Sequence, residues 1–264
     1  MEQIEKALAK AREIRMNSGV AMFPQANGFT GSGANGISPD YSETTVLAAD
    51  PKRLLGERLV AGSPGHPTSH VYGLLRTQVL HRMKEQGLST LVVTAPQLGC
   101  GTSTTAANLA IAIAMDVNQT VLLVDINLRA PSLHERFQFK PGCGIDDYLR
   151  GDVQLSDCLV SPGVPRLVIL PARLPDHESA ETLRSPRMAA LARELKSRYP
   201  DRIIIYDAPP LLPSSDTLGF LPNADGVLFV ARGSTTTKQD IEKSASLLRN
   251  TTVIGTLMNA YDAD

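Results

Sequence analysis

The sequence predicts a three-layer α/β domain, in which a mostly parallel sheet is flanked by helices on both faces. The first observation is alternation, because short apolar segments rich in β-branched residues alternate with helical segments along most of the chain. The second observation is a glycine-rich turn that joins the apolar segment 91–95 to a long helical segment, 103–115. A strand, a glycine turn and a helix in this order are typical of α/β domains that bind phosphate groups.

The predicted elements follow one another in the order that this fold requires. The predicted strands after 91–95 are 120–125, 166–172, 202–207, 226–232 and 253–260. The predicted helices are 69–85, 103–115, 145–150, 179–198 and 238–249. Since strands linked through helices form right-handed β-α-β units, ligands are expected at the carboxyl ends of the strands.

The N-terminal part of the chain differs in composition from the rest. Residues 1–16 place apolar side chains on one face at helical spacing and predict an amphipathic helix. Residues 17–60 are rich in Gly, Ser, Pro, Ala and Asn and predict a flexible linker, followed by the folded domain over 61–264. The helix either docks on a partner or a membrane surface or packs on its own domain, and the sequence leaves both open.

Composition excludes several classes of protein. The chain has 264 residues and a formal net charge of −1, which gives no basic field for nucleic acid. Its three cysteines are too scattered for a disulfide framework or a metal cluster. No long apolar run or signal peptide is present, so a cytoplasmic location is expected.

The turn APQLGCGTSTT, residues 95–105, has the build of a phosphate-binding loop. Glycines at two positions let the backbone curl until its N–H groups point inward, and the helix N-terminus adds a positive dipole end. The candidate nucleotide-binding residues are Gly99, Cys100, Gly101, Thr102, Ser103 and Thr104. Ser103 stands where such loops bind Mg²⁺ through a hydroxyl, whereas Thr102 stands where they carry lysine. The alternative is a glycine-rich turn that binds nothing.

Two aspartates close predicted strands near this loop. Asp125 ends the strand 120–125, and Asp207 ends the strand 202–207. Carboxylates at such positions can hold Mg²⁺ and can orient or deprotonate an attacking hydroxyl, so Asp125 and Asp207 are the candidate catalytic residues and, with Ser103, the candidate metal ligands. Lone aspartates of this kind are otherwise helix caps or turn formers.

Four segments together resemble the cytoplasmic kinase domain of bacterial tyrosine kinases from capsule and exopolysaccharide loci. They are TAPQLGCGTSTTAANLAIAIA, VLLVDINLRAPSLH, IIIYDAPPLLPSSD and ADGVLFVARGSTTTKQDIEKSASLL. The segments IEKALAKAREIR and VYGLLRTQVLHRMKEQGLSTLVVTAP resemble the exosortase-associated autokinase branch of that family. The family is similar in turn to the MinD/ParA class of P-loop ATPases, so the resemblance implies a P-loop NTPase-like fold.

The resemblance also implies an activity, cofactors and partners. The family uses ATP and Mg²⁺ to phosphorylate tyrosines in its own C-terminal tail and cycles between a ring homo-oligomer and monomers. Its partner is the cytoplasmic segment of a membrane polysaccharide co-polymerase, which implies peripheral association with the inner membrane. The lysine, the two carboxylates of the DxD motif and the aspartate of the DxPP motif carry the chemistry, and they correspond to Thr102, Asp125, Asn127 and Asp207.

The sequence departs from the family pattern at several of these positions. Thr102 replaces the lysine, and Asn127 replaces the second carboxylate. The tail contains only Tyr261, and His70 and Gly73 stand in the oligomer motif ExxRxxR, of which only Arg76 matches. Gln97 stands where MinD-type loops carry their signature lysine, and Arg129 is a poor geometric substitute for a lysine inside the loop.

These departures favour a kinase-like protein that regulates exopolysaccharide polymerisation and export while its catalysis is impaired. Two alternatives remain open at the level of sequence. One is an active tyrosine kinase that acts on another protein, which the retained Ser103, Asp125 and Asp207 support. The other is a MinD/ParA-like ATPase.

Overall fold

An eight-stranded sheet forms the centre of the domain. The computed structural model describes residues 44–48, 50–63, 65–198, 201–233 and 235–260. The predicted helix 1–16, residues 17–43 of the predicted linker and Tyr261 lie outside these ranges. The strands are β1 Thr45–Val46, β2 Thr90–Thr94, β3 Thr120–Asp125, β4 Val160–Ser161, β5 Leu167–Leu170, β6 Arg202–Asp207, β7 Gly226–Arg232 and β8 Val253–Asn259. Their order across the sheet is β1-β4-β5-β3-β6-β2-β7-β8.

Helices connect the strands and cover the sheet. They are α1 Pro51–Gly56, α2 Ser69–Glu85, α3 Thr102–Ala114, α4 Leu133–Arg136, α5 Ile145–Arg150, α6 Ser179–Arg184, α7 Pro186–Arg198, α8 Asp216–Phe220 and α9 Lys238–Leu247. Single 3₁₀ turns occur at Ser156–Cys158 and Leu221–Asn223. In the ranges that the structure describes, no helix has both the length and the apolar character needed to cross a bilayer.

Alternate side chains of the central strands enter two separate cores, which confirms the three-layer α/β prediction. In β2, Leu91 and Val93 pack with helices α2 and α3 on one face of the sheet. The intervening Val92 packs with α7 and α8 on the other face. Since side chains of a strand alternate between faces, burial on both sides requires nearly continuous apolar strands, as this sequence has.

Two features of the fold differ from the sequence prediction. The short strand β4 was not predicted, and it pairs antiparallel with β5, whereas the other pairs are parallel, as expected for a mostly parallel sheet. The predicted helix 179–198 is two helices, because Ser185 adopts an extended conformation (ψ 149°) between α6 and α7. The residue before a proline is disfavoured in helical geometry, and Pro186 follows directly.

The prediction of a flexible linker over 17–60 requires correction at its end. Strand β1 pairs with β4, and Leu54 and Leu59 are buried in the core. The fully buried Asn108 of α3 holds the chain that follows α1, since its Oδ1 accepts hydrogen bonds from the N–H groups of Val60 (2.8 Å) and Ala61 (3.0 Å). Its Nδ2 donates to the carbonyl of Arg58 at 2.9 Å. The folded domain therefore begins before residue 61.

Candidate functional site

The glycine loop lies between β2 and α3 and depends on two left-handed glycines. Gly99 has φ 79°, and Gly101, which caps the N-terminus of α3, has φ 90°. Side chains other than glycine rarely adopt this conformation. A Cβ atom at Gly101 would also collide with the side-chain amide of Asn259. The loop conformation therefore requires glycine at this position.

Two side chains from neighbouring strands hold the outside of this loop. Arg232, at the end of β7, donates from Nη1 to the Gly99 carbonyl at 3.0 Å. Asn259, at the end of β8, donates from Nδ2 to the Cys100 carbonyl at 2.8 Å. These bonds satisfy the two carbonyl groups and fix the backbone between the glycines. Neither residue was predicted from the sequence, because the contacts join positions more than a hundred residues apart.

A cleft of about 340 Å³ opens beside the loop, within the usual size range of small-molecule sites. Its walls come from the loop, the start of α3, the ends of β3 and β6, helix α4 and the chain after α1. The lining residues are Gly56, Glu57, Arg58, Gln97, Leu98, Gly99, Gly101, Thr102, Ser103, Thr104, Asn127, Arg136, Ala208 and Pro210. Most of the predicted nucleotide-binding residues thus share one cleft.

Cys100 is the exception among the predicted loop residues. It does not line the cleft, and its side chain is buried with Sγ 3.7 Å from the Thr236 hydroxyl. Its thiol therefore fills space behind the loop, and only its backbone belongs to the site.

Asp125 and Asp207 lie side by side but do not line the cleft. They are register partners on β3 and β6, and both are fully buried beside the lining residues Asn127 and Ala208. Asp125 accepts backbone N–H hydrogen bonds from Asn127 at 3.1 Å, Ser132 at 3.0 Å and Leu133 at 3.1 Å. Burial raises the pKa of Asp125 to about 7, and these N–H groups and the charge of Arg136 oppose the rise.

Asp207 has a different environment. Among the described residues, neither of its carboxylate oxygens meets a donor at hydrogen-bonding geometry. Burial and the negative charge of Asp125 raise the pKa of Asp207 well above its usual range, and the nearby Ser103 hydroxyl and Arg136 offset this only in part. A buried carboxylate with free lone pairs beside a hydroxyl fits Mg²⁺, which prefers oxygen ligands. Ser103 and Asp207 would hold the ion, with Asp125 next to them.

Arginine positions around the site differ in their availability. Arg129 points away to helix α8, where its Nε and Nη2 donate to the Asp216 carboxylate at 2.9 and 3.3 Å, and it does not line the cleft. Arg136, which sequence analysis missed, lines the cleft from α4. Its Nε is buried and has no hydrogen-bond partner in the described part of the chain.

The comparisons with known proteins point to one family. The chain is 32% identical over 201 residues, 75% of its length, to EpsB of Ralstonia nicotianae, which is named provisionally as a tyrosine-protein kinase. It is 28% identical over 198 residues to the tyrosine-protein kinase YwqD of Bacillus subtilis, covering 74% of this chain and 82% of YwqD. It is 32% identical over 168 residues, 61% of its length, to the succinoglycan biosynthesis transport protein ExoP of Rhizobium meliloti and covers 21% of ExoP. The chain spans about a quarter of EpsB, or 26% of its length. No family model matches the chain.

Solved structures show the same fold. The chimerical protein CapA2B2 superposes with a TM-score of 0.72 at 23% identity, covering 83% of this chain and 94% of that chain. The kinase domain of Escherichia coli tyrosine kinase ETK gives 0.71 at 22% identity, covering 83% and 91%. MinD from Pyrococcus horikoshii, solved with Mg-ADP, gives 0.55 at 23% identity, covering 65% and 70%.

Motif order, fold and sequence similarity agree with one another. The glycine loop and the aspartates that end β3 and β6 occur in the order of the family motifs and converge at one edge of the sheet. EpsB and YwqD are named as tyrosine-protein kinases, and MinD has a similar fold. The chain belongs to the bacterial tyrosine kinase family, and its fold resembles that of MinD.

Proposed function

We propose that this protein is a kinase-like member of its family that binds nucleotide, is impaired in phosphoryl transfer and acts by interaction in exopolysaccharide or capsule assembly. One observation carries the proposal. The cleft has the glycine loop and Ser103 of a nucleotide site, but Thr102 and Asn127 line it where the family carries a lysine and a carboxylate.

Nucleotide binding is supported by the geometry of the loop. Gly99 and Gly101 curl the backbone, and α3 begins directly after them, so N–H groups and a helix N-terminus can meet phosphate oxygens. ATP or ADP is the expected ligand class, with Mg²⁺ held by Ser103 and Asp207. When bound, Mg²⁺ would neutralise phosphate charge.

Impaired transfer follows from what the loop lacks. The lysine of such loops contacts the β- and γ-phosphates and stabilises the charge that develops during transfer. Loss of one preorganised electrostatic partner commonly lowers a rate by about 100- to 1,000-fold. Here position 127 also provides a neutral amide in place of a carboxylate, so binding should survive better than catalysis.

Incubation with ATP and Mg²⁺ tests this function directly. We expect calorimetry to detect ATP binding and expect no phosphotyrosine on this chain or on an added tyrosine-containing peptide. Tyrosine phosphorylation that Asp125→Asn abolishes would instead establish an active kinase. That alternative is favoured by one observation, the buried Asp207 carboxylate beside the Ser103 hydroxyl, where a catalytic metal ion could be held. A MinD/ParA-like ATPase would dimerise on ATP and hydrolyse it, and Gln97 lacks the signature lysine of that class.

The partner proposed for this protein is the cytoplasmic segment of a membrane polysaccharide co-polymerase. Support comes from the family and from the similarity to ExoP, which is named as a succinoglycan biosynthesis transport protein. This association would place the protein at the inner membrane. Co-purification with a membrane polysaccharide co-polymerase of the source organism tests the proposal, and it should not depend on kinase activity. Failure of the two to associate, with or without ATP, would contradict it.

A further inference from the structure

The cleft has few positive charges for a site that binds nucleotide. The inference drawn from this rests on the proposed function, nucleotide binding. ATP brings several negative charges, and two buried aspartates already lie beside the cleft. The helix α3 N-terminus contributes only about half an elementary charge. With threonine at position 102, the loop itself contributes no cation from its side chains.

Two arginines line the cleft, and they are not equivalent. Arg58 follows α1 at the rim and is exposed. Arg136 is half-buried, lies in the same cleft as Thr102 and Ser103, and has a buried Nε without an acceptor in the described residues. Arg129, the arginine of the sequence motif itself, is bound to Asp216 and is not available. Arg136 is therefore the cation best placed to meet a ligand.

The position of Arg136 is fixed by the fold. Helix α4 is only Leu133–Arg136 long, but Asp125 accepts the N–H groups of Ser132 and Leu133 and anchors its start. On either side of Arg136, Leu133 and Phe137 are buried in the core. The guanidinium is close enough to both aspartates to oppose the rise of their pKa values. Arg136 thus lies on the side of the cleft nearest Asp125 and Asp207, on a short helix whose start is held by hydrogen bonds to Asp125.

We propose that Arg136 binds the phosphate groups of the nucleotide in place of the missing loop lysine. A guanidinium suits this role, because its planar fork can donate to two phosphate oxygens and it keeps its charge near carboxylates. Arg136 approaches from α4, outside the loop, so it provides affinity from a different direction than a lysine at position 102 would.

Calorimetric titration of the full chain with ATP and with AMP, both with Mg²⁺, tests this role. Arg136→Gln should weaken ATP binding by about ten- to a hundred-fold and AMP binding much less, because AMP lacks the β- and γ-phosphates. Arg136→Lys should keep part of the ATP affinity. Arg193→Gln removes the same charge from an exposed position on α7 and should leave both affinities unchanged. Thr102→Lys added to Arg136→Gln should restore ATP binding.

The outcomes separate this inference from the proposed function. If the unaltered chain binds ATP and Arg136→Gln binds it equally well, the role of Arg136 is wrong while nucleotide binding stands. An equal loss for ATP and AMP that Thr102→Lys does not restore would also overturn it, since that pattern indicates distortion of the cleft. If the unaltered chain binds neither nucleotide, the proposed function itself fails.

Discussion

Asp125 and Asp207 are register partners on adjacent parallel strands, and both are fully buried, yet in the described part of the chain only Asp125 of the two accepts backbone N–H hydrogen bonds on its side chain. Three backbone N–H groups stabilise the ionised form of Asp125. The ionised form of Asp207 is stabilised only in part, by the nearby Ser103 hydroxyl and the charge of Arg136. Burial of a carboxyl group with few donors disfavours its ionised form and so destabilises the fold at pH values where the unfolded chain is ionised. Functional sites often contain such groups, which lower the stability of the fold but are needed for binding or catalysis.

Replacing Asp207 should therefore stabilise the protein. We expect Asp207→Asn to raise the free energy of unfolding at pH 8 by about 1–3 kcal/mol, or a few degrees in Tm. Asp125→Asn is the matched control and should gain less, because it also loses charge-assisted hydrogen bonds from three N–H groups. Thermal unfolding followed by circular dichroism measures the stability of both variants. If Asp207→Asn is no more stable than the unaltered chain, burial of the Asp207 carboxylate does not destabilise the fold.

The same pair sets a pH dependence of stability. The pKa of each carboxyl is raised in the folded state, so the folded protein binds more protons than the unfolded chain above pH ~4. Stability from this pair should therefore fall as pH rises from ~4 through about 7, the folded pKa of Asp125. Urea unfolding across this range should show a shallower fall for Asp207→Asn than for the unaltered chain.

Arg129 should matter for stability but not for nucleotide. Burial alone would raise the pKa of Asp216, but the hydrogen bonds from Arg129 and Ser179 outweigh it and lower the pKa. Arg129→Gln leaves a buried carboxylate short of its partner, and we expect a lower free energy of unfolding at pH 7, with the loss limited because Arg129 is 46% exposed.

The loss from Arg129→Gln should shrink as pH falls below ~4, because a lowered carboxyl pKa contributes stability only above the unfolded value. ATP affinity of this variant, measured by calorimetry, should match that of the unaltered chain. A large fall in affinity would mean that Arg129 reaches the cleft after all.

Asn108 should hold one wall of the cleft. Its side chain bonds the backbone of Arg58, Val60, Ala61 and Thr104 at 2.8–3.0 Å. Asn108→Ala removes these bonds and leaves buried backbone groups without partners, at an expected cost of about 2–4 kcal/mol. Hydrogen exchange should show faster exchange at Val60 and Ala61 than in the unaltered chain. Unchanged protection there would show that the segment is held by other contacts.

A lysine restored to the loop should strengthen nucleotide binding. Thr102 lines the cleft next to Ser103, so Thr102→Lys places a charge where the family carries one. We expect ATP affinity to rise about ten- to a hundred-fold by calorimetry. Thr77→Lys adds the same charge at an exposed position on α2 and serves as the control. No gain from Thr102→Lys would show that the site has diverged beyond this one residue.

Most strands and helices of the fold could be predicted from local patterns of apolar residues in the sequence. The predicted ranges 120–125, 202–207 and 226–232 coincide with β3, β6 and β7, because strands buried on both faces are continuous apolar runs. Helix α2 coincides with the predicted range 69–85. The two-residue strands β1 and β4 are too short for any periodicity, and their positions follow from packing.

Residues of the candidate site could be predicted only where they belong to a short sequence motif. The glycine spacing and the strand-ending aspartates lie within short segments, and these were found. Arg136 was missed because its position depends on the contact of Asp125 with the start of α4. Arg58 was missed because Asn108, fifty residues away, folds its segment against the cleft. No sequence period encodes such long-range contacts.

The central claim is that the cleft binds nucleotide without transferring its phosphate. The most direct measurement is a ³¹P NMR time course of ATP and Mg²⁺ with an equimolar amount of the protein. We expect the ATP resonances to shift or broaden on addition of the protein, and no ADP, inorganic phosphate or phosphotyrosine signal to appear over several hours. Unaltered ATP resonances would contradict binding, and a growing ADP signal that Asp125→Asn abolishes would contradict the loss of transfer.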